Sequence, residues 1–167
     1  VYREIKGSLA NIERLFTLLE EQPRVADAAD AGELVLDQAT VEFRDVSFGY
    51  GSERPILRGV NLRIGGGEKV AVVGASGAGK STLVKLLFRF YDPDSGAVLI
   101  DGQDLRDLRQ LSVRRQIAIV PQDCVLFNDT LAENIRYGNP GADEDALAAA
   151  IRAAHLEDFV ARLPAGL

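Results

Sequence analysis

Disulfide chemistry has almost no material in this sequence: 167 residues carry a single cysteine, Cys124. A lone thiol rules out an internal disulfide and fits a reducing compartment. Histidine is as scarce, with His155 alone. Cys124 has no Cys or His partner at ligand spacing, so a thiolate metal centre is not expected there, and His155 reads as a surface or packing residue. Long apolar runs are missing as well. No stretch nears the ~18 residues that a membrane span requires, and no secretory signal opens the chain. Positive charge is in the minority, 19 Lys and Arg against 25 Asp and Glu, for a net charge of −6 and a pI near 4.9. Bulk charge therefore gives no support to a nucleic-acid surface, and the Arg114-Arg115 pair reads as a solvated helix face. What remains is ordinary: 47% hydrophobic and 26% charged residues, in a chain long enough for one domain with a core. The first residue is Val1 rather than Met, inside a helical pattern, so a piece of a longer chain is expected.

One stretch organises the rest. Val70 to Val73 is a short apolar run with the pattern of a strand buried on both faces. It leads into Gly74-Ala75-Ser76-Gly77-Ala78-Gly79-Lys80-Ser81, a full match to G-x-x-x-x-G-K-[ST]. Leu83, Leu86, Leu87 and Phe90 then recur at helical spacing. Strand, glycine loop and helix are the context in which such a loop cradles phosphate. Gly77 and Gly79 let the backbone curl so that successive N–H groups face phosphate oxygens, with the helix dipole behind them. Lys80 supplies a mobile positive charge for β- and γ-phosphates, and the Ser81 hydroxyl is a ligand for Mg²⁺. The dinucleotide fingerprint G-x-G-x-x-G fails, because Thr82 stands where its third glycine belongs. The sequence predicts a nucleoside triphosphate site.

Around this loop the chain is mixed α/β. Ile5, Leu9, Ile12, Phe16 and Leu19 mark an amphipathic helix ending before Pro23, either docked on its own domain or the lower end of a longer helix. Pro23 to Ala39 reads as a linker. Val41 and Phe43 alternate in one phase, Val46 and Phe48 in the other, which predicts a β-bulge near Arg44-Asp45 in an antiparallel strand. Val60, Leu62 and Ile64 form a second strand closed by Gly65-Gly66-Gly67. After a break at 92–96, Ala97 to Ile100 is a strand turning at Asp101-Gly102, and a short helix covers about 105–115. Ile117 to Val120 is another buried-type strand, ended by Pro121-Gln122. Thr130-x-x-Glu133 predicts a capping box, followed by an alanine-rich helix over 143–154 and a last one around Leu156 to Leu163.

This order of parts resembles the ATP-binding domain of ABC transporters, over essentially the whole chain. Tyr2-Arg3-Glu4-Ile5-Lys6 and the stretch Val120-Pro121-Gln122-Asp123-Cys124-Val125-Leu126-Phe127-Asn128-Asp129-Thr130 look most like half-transporter exporters of the mitochondrial iron–sulfur and heavy-metal type. The resemblance implies a P-loop NTPase (RecA-like) core with an ABC-type antiparallel β subdomain. It divides the chain into the end of the last membrane-domain helix (1–22), a linker (23–39) and a partial ATP-binding domain (40–167). Tyr50 matches the aromatic that stacks on adenine, an interaction tolerant of base identity. Residues Gly74 to Thr82 match the phosphate loop. Gln122 matches the glutamine that reaches Mg²⁺ and the attacking water, and Asp123 to Asn128 match the contact with the membrane-spanning domain, with Phe127 an apolar plug. The implied cofactors are ATP and Mg²⁺, and the implied partners the membrane domain and a second ATP-binding domain, in a homodimer. The implied place is the cytoplasmic face of the inner membrane, or the matrix side in mitochondria, exporting glutathione-linked or metal-related solutes.

The sequence stops short of the family's Leu-Ser-Gly-Gly-Gln motif, its second acidic strand with the catalytic glutamate, and its switch histidine. Nucleotide binding without turnover is therefore expected of this chain alone, with marginal stability or self-association where strands lack a neighbour. Two other classes fit the loop: a small-molecule phosphotransferase, against which the upstream antiparallel strands and Tyr50 count, and a non-catalytic nucleotide-binding or dimerisation module.

Overall fold

The computed structural model describes Ile12, Phe16 and residues 25–51, 55–123 and 125–163. The chain divides between Ala118 and Ile119 into two compact units.

The first unit is built on a four-stranded antiparallel sheet of order β2-β1-β3-β4. Its strands are β1 (Val41–Phe48), β2 (Leu57–Ile64), β3 (Ser95–Ile100) and β4 (Gln103–Asp104). The predicted bulge is present. Pairing with β2 slips between Phe43 and Val46, pairing with β3 slips between Arg44 and Ser47, and Asp45 takes φ 51°. The extra residue is what lets Phe43, Val46 and Phe48 all point into the core despite their broken alternation. Helix α1 (Lys80–Leu87) presents Leu86, and helix α2 (Gln110–Arg114) presents Val113, to the same cluster. Leu34, Leu57, Val98, Ile100, Leu105 and Leu108 complete it. A 3₁₀ turn, Leu105–Asp107, capped by the Asp104 carboxylate, precedes α2, so the single helix expected over 105–115 is broken in two.

Two expected strands are not formed. Val70–Val73 and Ile117–Val120 join no ladder among the described residues. Val73 is 88% and Val120 97% exposed. A strand exists by pairing, and an apolar run makes an inside only where a neighbour covers it.

The stretch read as a linker lies along the first unit from Val25 onward. Gly32 donates to Asp107 O and its own carbonyl accepts from Arg109 N, at 2.9 and 2.8 Å, a parallel bridge to Leu108. Leu34 N donates to the Ser112 hydroxyl at 2.6 Å, and the Gln103 side chain brackets Val35, accepting from its N–H and donating to its carbonyl. Ala31 and Leu34 are buried. The connection has a fixed path. The helix expected upstream falls outside the described residues except at Ile12 and Phe16, both helical.

Among its described residues the second unit holds three short helices, α3 (Leu131–Arg136), α4 (Glu144–Ala153) and α5 (Glu157–Val160). Thr130 caps α3 by accepting from Glu133 N at 3.1 Å. The reciprocal half of the capping box is replaced: Asp129 accepts from Thr130 N, while Glu133 pairs with Arg136. Asp143 caps α4, which buries Leu147 and Ile151.

Candidate functional site

The glycine loop leads from the unpaired segment ending at Val73 into α1. Gly77 and Gly79 take φ 80° and 89°, a region costly for residues with a Cβ. At Gly79 space forbids a side chain too, since a Cβ would lie 2.7 Å from Leu57 Cδ2 and 3.1 Å from Ile56 Cγ2. The loop is thereby pressed onto the start of β2. Gly79 O accepts from Thr82 N and Leu83 N, opening α1. The Lys80 and Ser81 amides ahead of them have no intrahelical acceptor and lie at the positive end of the helix dipole. Gly74, Ala75, Ser76, Gly77, Ala78 and Ser81 are exposed along the rim. Lys80 folds back over them, Nζ donating to Gly74 O and Ala75 O at 2.7 Å each. An ammonium has three N–H groups, so one remains for an anion while the other two brace the loop.

Tyr50 is brought to this loop from the end of β1. Its hydroxyl lies 3.3 Å from Thr82 Oγ1, and the Lys85 ammonium lies 5.0 Å from its ring centroid. Phe48 and Tyr91 pack on it edge-to-face, with centroids at 5.1 and 5.2 Å. Asp94 ties the base of the turn, accepting from Gly49 N at 2.9 Å. Burial pushes the phenol up, but hydrogen bonding to Thr82 and to Lys85, with the Lys85 charge, outweighs it and holds Tyr50 below its ordinary range. The ring remains 43% exposed. It borders a cleft of about 450 Å³ lined by Gly49, Tyr50, Gly51, Pro55 and Asp94. A flat aromatic surface beside a glycine loop at a helix N-terminus is an arrangement able to take a nucleotide, base on one and phosphates on the other.

Gln122 lies in the second unit, exposed in a bend, and Phe127 follows on an exposed loop. That loop is braced by Asn134 of α3, whose amide accepts from Phe127 N at 2.7 Å and donates to Phe127 O and Thr130 O at 3.1 and 2.8 Å. Phe127 stacks obliquely on Tyr137 with centroids 4.5 Å apart. With Asp129, Glu133, Arg136 and Pro140 they line a small cavity of about 210 Å³.

Residues 57–166 match the family model described as ABC transporter. The chain belongs to the ABC transporter family. Its fold is that of the ABC ATPase domain, a P-loop NTPase. This ABC segment is 48% identical over 166 residues to an ATM1-type heavy metal exporter of Novosphingobium aromaticivorans, a match covering 99% of the chain and 27% of the relative. It is 50% identical over 161 residues to the mitochondrial iron-sulfur clusters transporter atm1 of Neurospora crassa, covering 96% of the chain and 22% of the relative. A solved bacterial Atm1-family ABC exporter with ATP bound superposes with a TM-score of 0.88 at 48% identity, covering 99% of the chain and 29% of that structure. The chain thus spans under a third of the length of these relatives.

Three residues of the ABC segment gain weight only from the structure. Lys85 reads in sequence as one more solvent-facing helix cation. Asn134 reads as a neutral helix residue, and the one available signal was its place four residues after the Thr130 cap. Arg89 reads as a helix-end charge, yet its side chain is 3% exposed.

Proposed function

We propose that this chain is the nucleotide-grasping part of the ATP-binding domain of an Atm1-type exporter, binding Mg·ATP and helping to couple its hydrolysis to export. The observation that carries the reading is the Gly79–Lys80 corner. A glycine held in a left-handed conformation against Ile56 and Leu57 sets the turn into α1, and Lys80 reaches back across the loop to Gly74 O and Ala75 O. In this reading Gly74 to Thr82 wrap the phosphates, Lys80 neutralises the β- and γ-oxygens, and Tyr50 carries the adenine. Ser81 and Gln122 would hold Mg²⁺, which when bound draws charge from the terminal phosphates. The exposed Ser81 hydroxyl in the first turn of α1 suits a hard cation that prefers oxygen.

The residues 122–128 would meet the membrane-spanning domain, and a second ATP-binding domain would complete a homodimer. The division into 1–22, 23–39 and 40–167 belongs to the same proposal, as does a place on the cytoplasmic or matrix face of the membrane. The names of the relatives support a metal-related cargo, which we extend to glutathione-linked solutes. Turnover would require the whole domain.

Titration calorimetry with Lys80→Ala tests the site. Loss of a charge-assisted contact worth ~1.5–3 kcal/mol should fall on Mg·ATP and spare adenosine. Equal losses for both ligands would remove Lys80 from the phosphate site.

A further inference from the structure

Tyr50 sits between two glycines, Gly49 and Gly51, on a turn with no side chain of its own to stiffen it. Its ring is nevertheless held from several sides. Phe48 comes from the same strand, Tyr91 from the segment after α1, and Thr82 and Lys85 from successive turns of α1 itself. Thr82 and Lys85 are three apart and share one face of that helix. The helix that begins the phosphate loop therefore also grips the aromatic platform. Thr82 is buried, whereas Lys85 is exposed and makes no ion pair among the described residues. Its ammonium lies over the Tyr50 ring. A cation there is attracted by the negative face of the ring quadrupole, and the attraction fixes ring orientation as well as distance.

We propose that Lys85 is a positioning residue of the nucleoside site, its ammonium fixing the Tyr50 ring at the angle and height that a base stacks on. This rests on the reading of Tyr50 as the adenine platform. It makes a distinction that the phosphate reading of a lysine near such a loop does not: Lys85 serves the base, and Lys80 serves the phosphates. The charge acts through the ring, so its removal is felt only by ligands that own a base. A guanidinium, which stacks on aromatic faces at least as well as an ammonium, can replace it.

The test measures affinities of the 167-residue chain for Mg·ATP and for inorganic tripolyphosphate, in the wild type, Lys85→Met, Lys85→Arg, Tyr50→Leu and the Tyr50→Leu/Lys85→Met double variant. Lys85→Met should weaken Mg·ATP roughly three- to tenfold and leave tripolyphosphate within about twofold. Lys85→Arg should restore ATP to near wild type, and Lys85→Met should have no further effect once Tyr50 is leucine. An equal loss for tripolyphosphate would make Lys85 a long-range phosphate attractor and overturn the proposal. So would failure of arginine to rescue, or a full Lys85→Met effect without the Tyr50 ring. If Tyr50→Leu weakens ATP while Lys85→Met does not, only this inference fails. If Tyr50→Leu leaves ATP untouched, or the wild type does not bind it, the platform reading fails with it.

Discussion

Asp101 and Thr40 are joined three times over: Asp101 Oδ1 accepts the Thr40 N–H at 2.7 Å and the Thr40 hydroxyl at 2.9 Å, while Asp101 N donates to Thr40 O at 2.9 Å. The other carboxylate oxygen accepts the amides of Asp37, Gln38 and Ala39 at 2.9, 3.2 and 3.0 Å. One turn residue thus fastens residues 37–40, the end of the stretch that leads into β1, to the β3–β4 corner. The amides of Asp37 and Thr40 hold its carboxyl well below the usual carboxylate range. Since the folded value is depressed, the stabilisation is complete above the unfolded value of about 3.9 and drains away as pH falls from there toward the folded one. Asp101→Asn should lower the melting temperature at pH 7, and the gap to wild type should close as pH falls below about 4. Thermal unfolding of both proteins across pH 2.5–8 (roughly the carboxylate range and above) checks this, and a pH-independent gap would contradict it.

Arg89 is a second fastening. Its guanidinium donates to Leu108 O at 2.7 Å, to Ala26 O at 3.2 Å and to Asp92 at 3.1 Å, with Asp27 at 3.5 Å, from a backbone at φ 50°. Three elements meet on one planar fork. Arg89→Lys keeps the charge but offers a single nitrogen, leaving carbonyls without a donor. The expected cost is ~1–3 kcal/mol by urea unfolding. A change under about 0.5 kcal/mol, the range of an ordinary surface substitution, would show that the network is dispensable.

Phe127 is 51% exposed and its backbone is clamped by Asn134. In the parent transporter, Phe127→Ala should depress transport-linked ATPase activity with nucleotide affinity nearly unchanged. Asn134→Ala should do the same in milder form, by loosening the clamp. Parallel measurement of ATPase rate and ATP affinity decides, and a matching fall in affinity would move Phe127 to the nucleotide site.

The uncovered valines predict association. Apolar residues as open as Val73 and Val120, outside any ladder, are sites for association with another chain. The 167-residue chain should therefore self-associate with rising concentration, and Val73→Lys or Val120→Lys should shift it toward monomer in analytical ultracentrifugation. Unchanged association would place the sticky surface elsewhere.

How far the sequence speaks depends on the range of each interaction. The bulge at Arg44-Asp45 was legible because side-chain phase is a local record of which face is buried. The turn into α1 was legible because Gly77 and Gly79 answer to backbone angles that few other residues tolerate. Val70–Val73 misled for the converse reason. An apolar run reports that a cover is needed, and says nothing about whether one stands beside it. The bonds of Asp101 and Gln103 to residues 35–40 cross more than sixty positions. Nothing in an Asp-Gly turn signals that its carboxylate will collect the amides of a distant segment. Lys85 escaped notice because its partner is a ring face, which leaves no spacing to read.

The strap along residues 25–40 bears on mechanics. A slack tether of that length would absorb a pull as extension, with an end-to-end spread of about 5–6 Å × √n for n residues. This one is riveted at Arg89, at Gln110, at the bridge to Leu108, at Ser112, at Gln103 and at Asp101. Tension entering near Val25 would be shared among rivets on α2, the β3–β4 corner and Arg89, two residues past the end of α1. A pull on the segment would therefore pass into the first unit close to where it enters, with little slack to take up first.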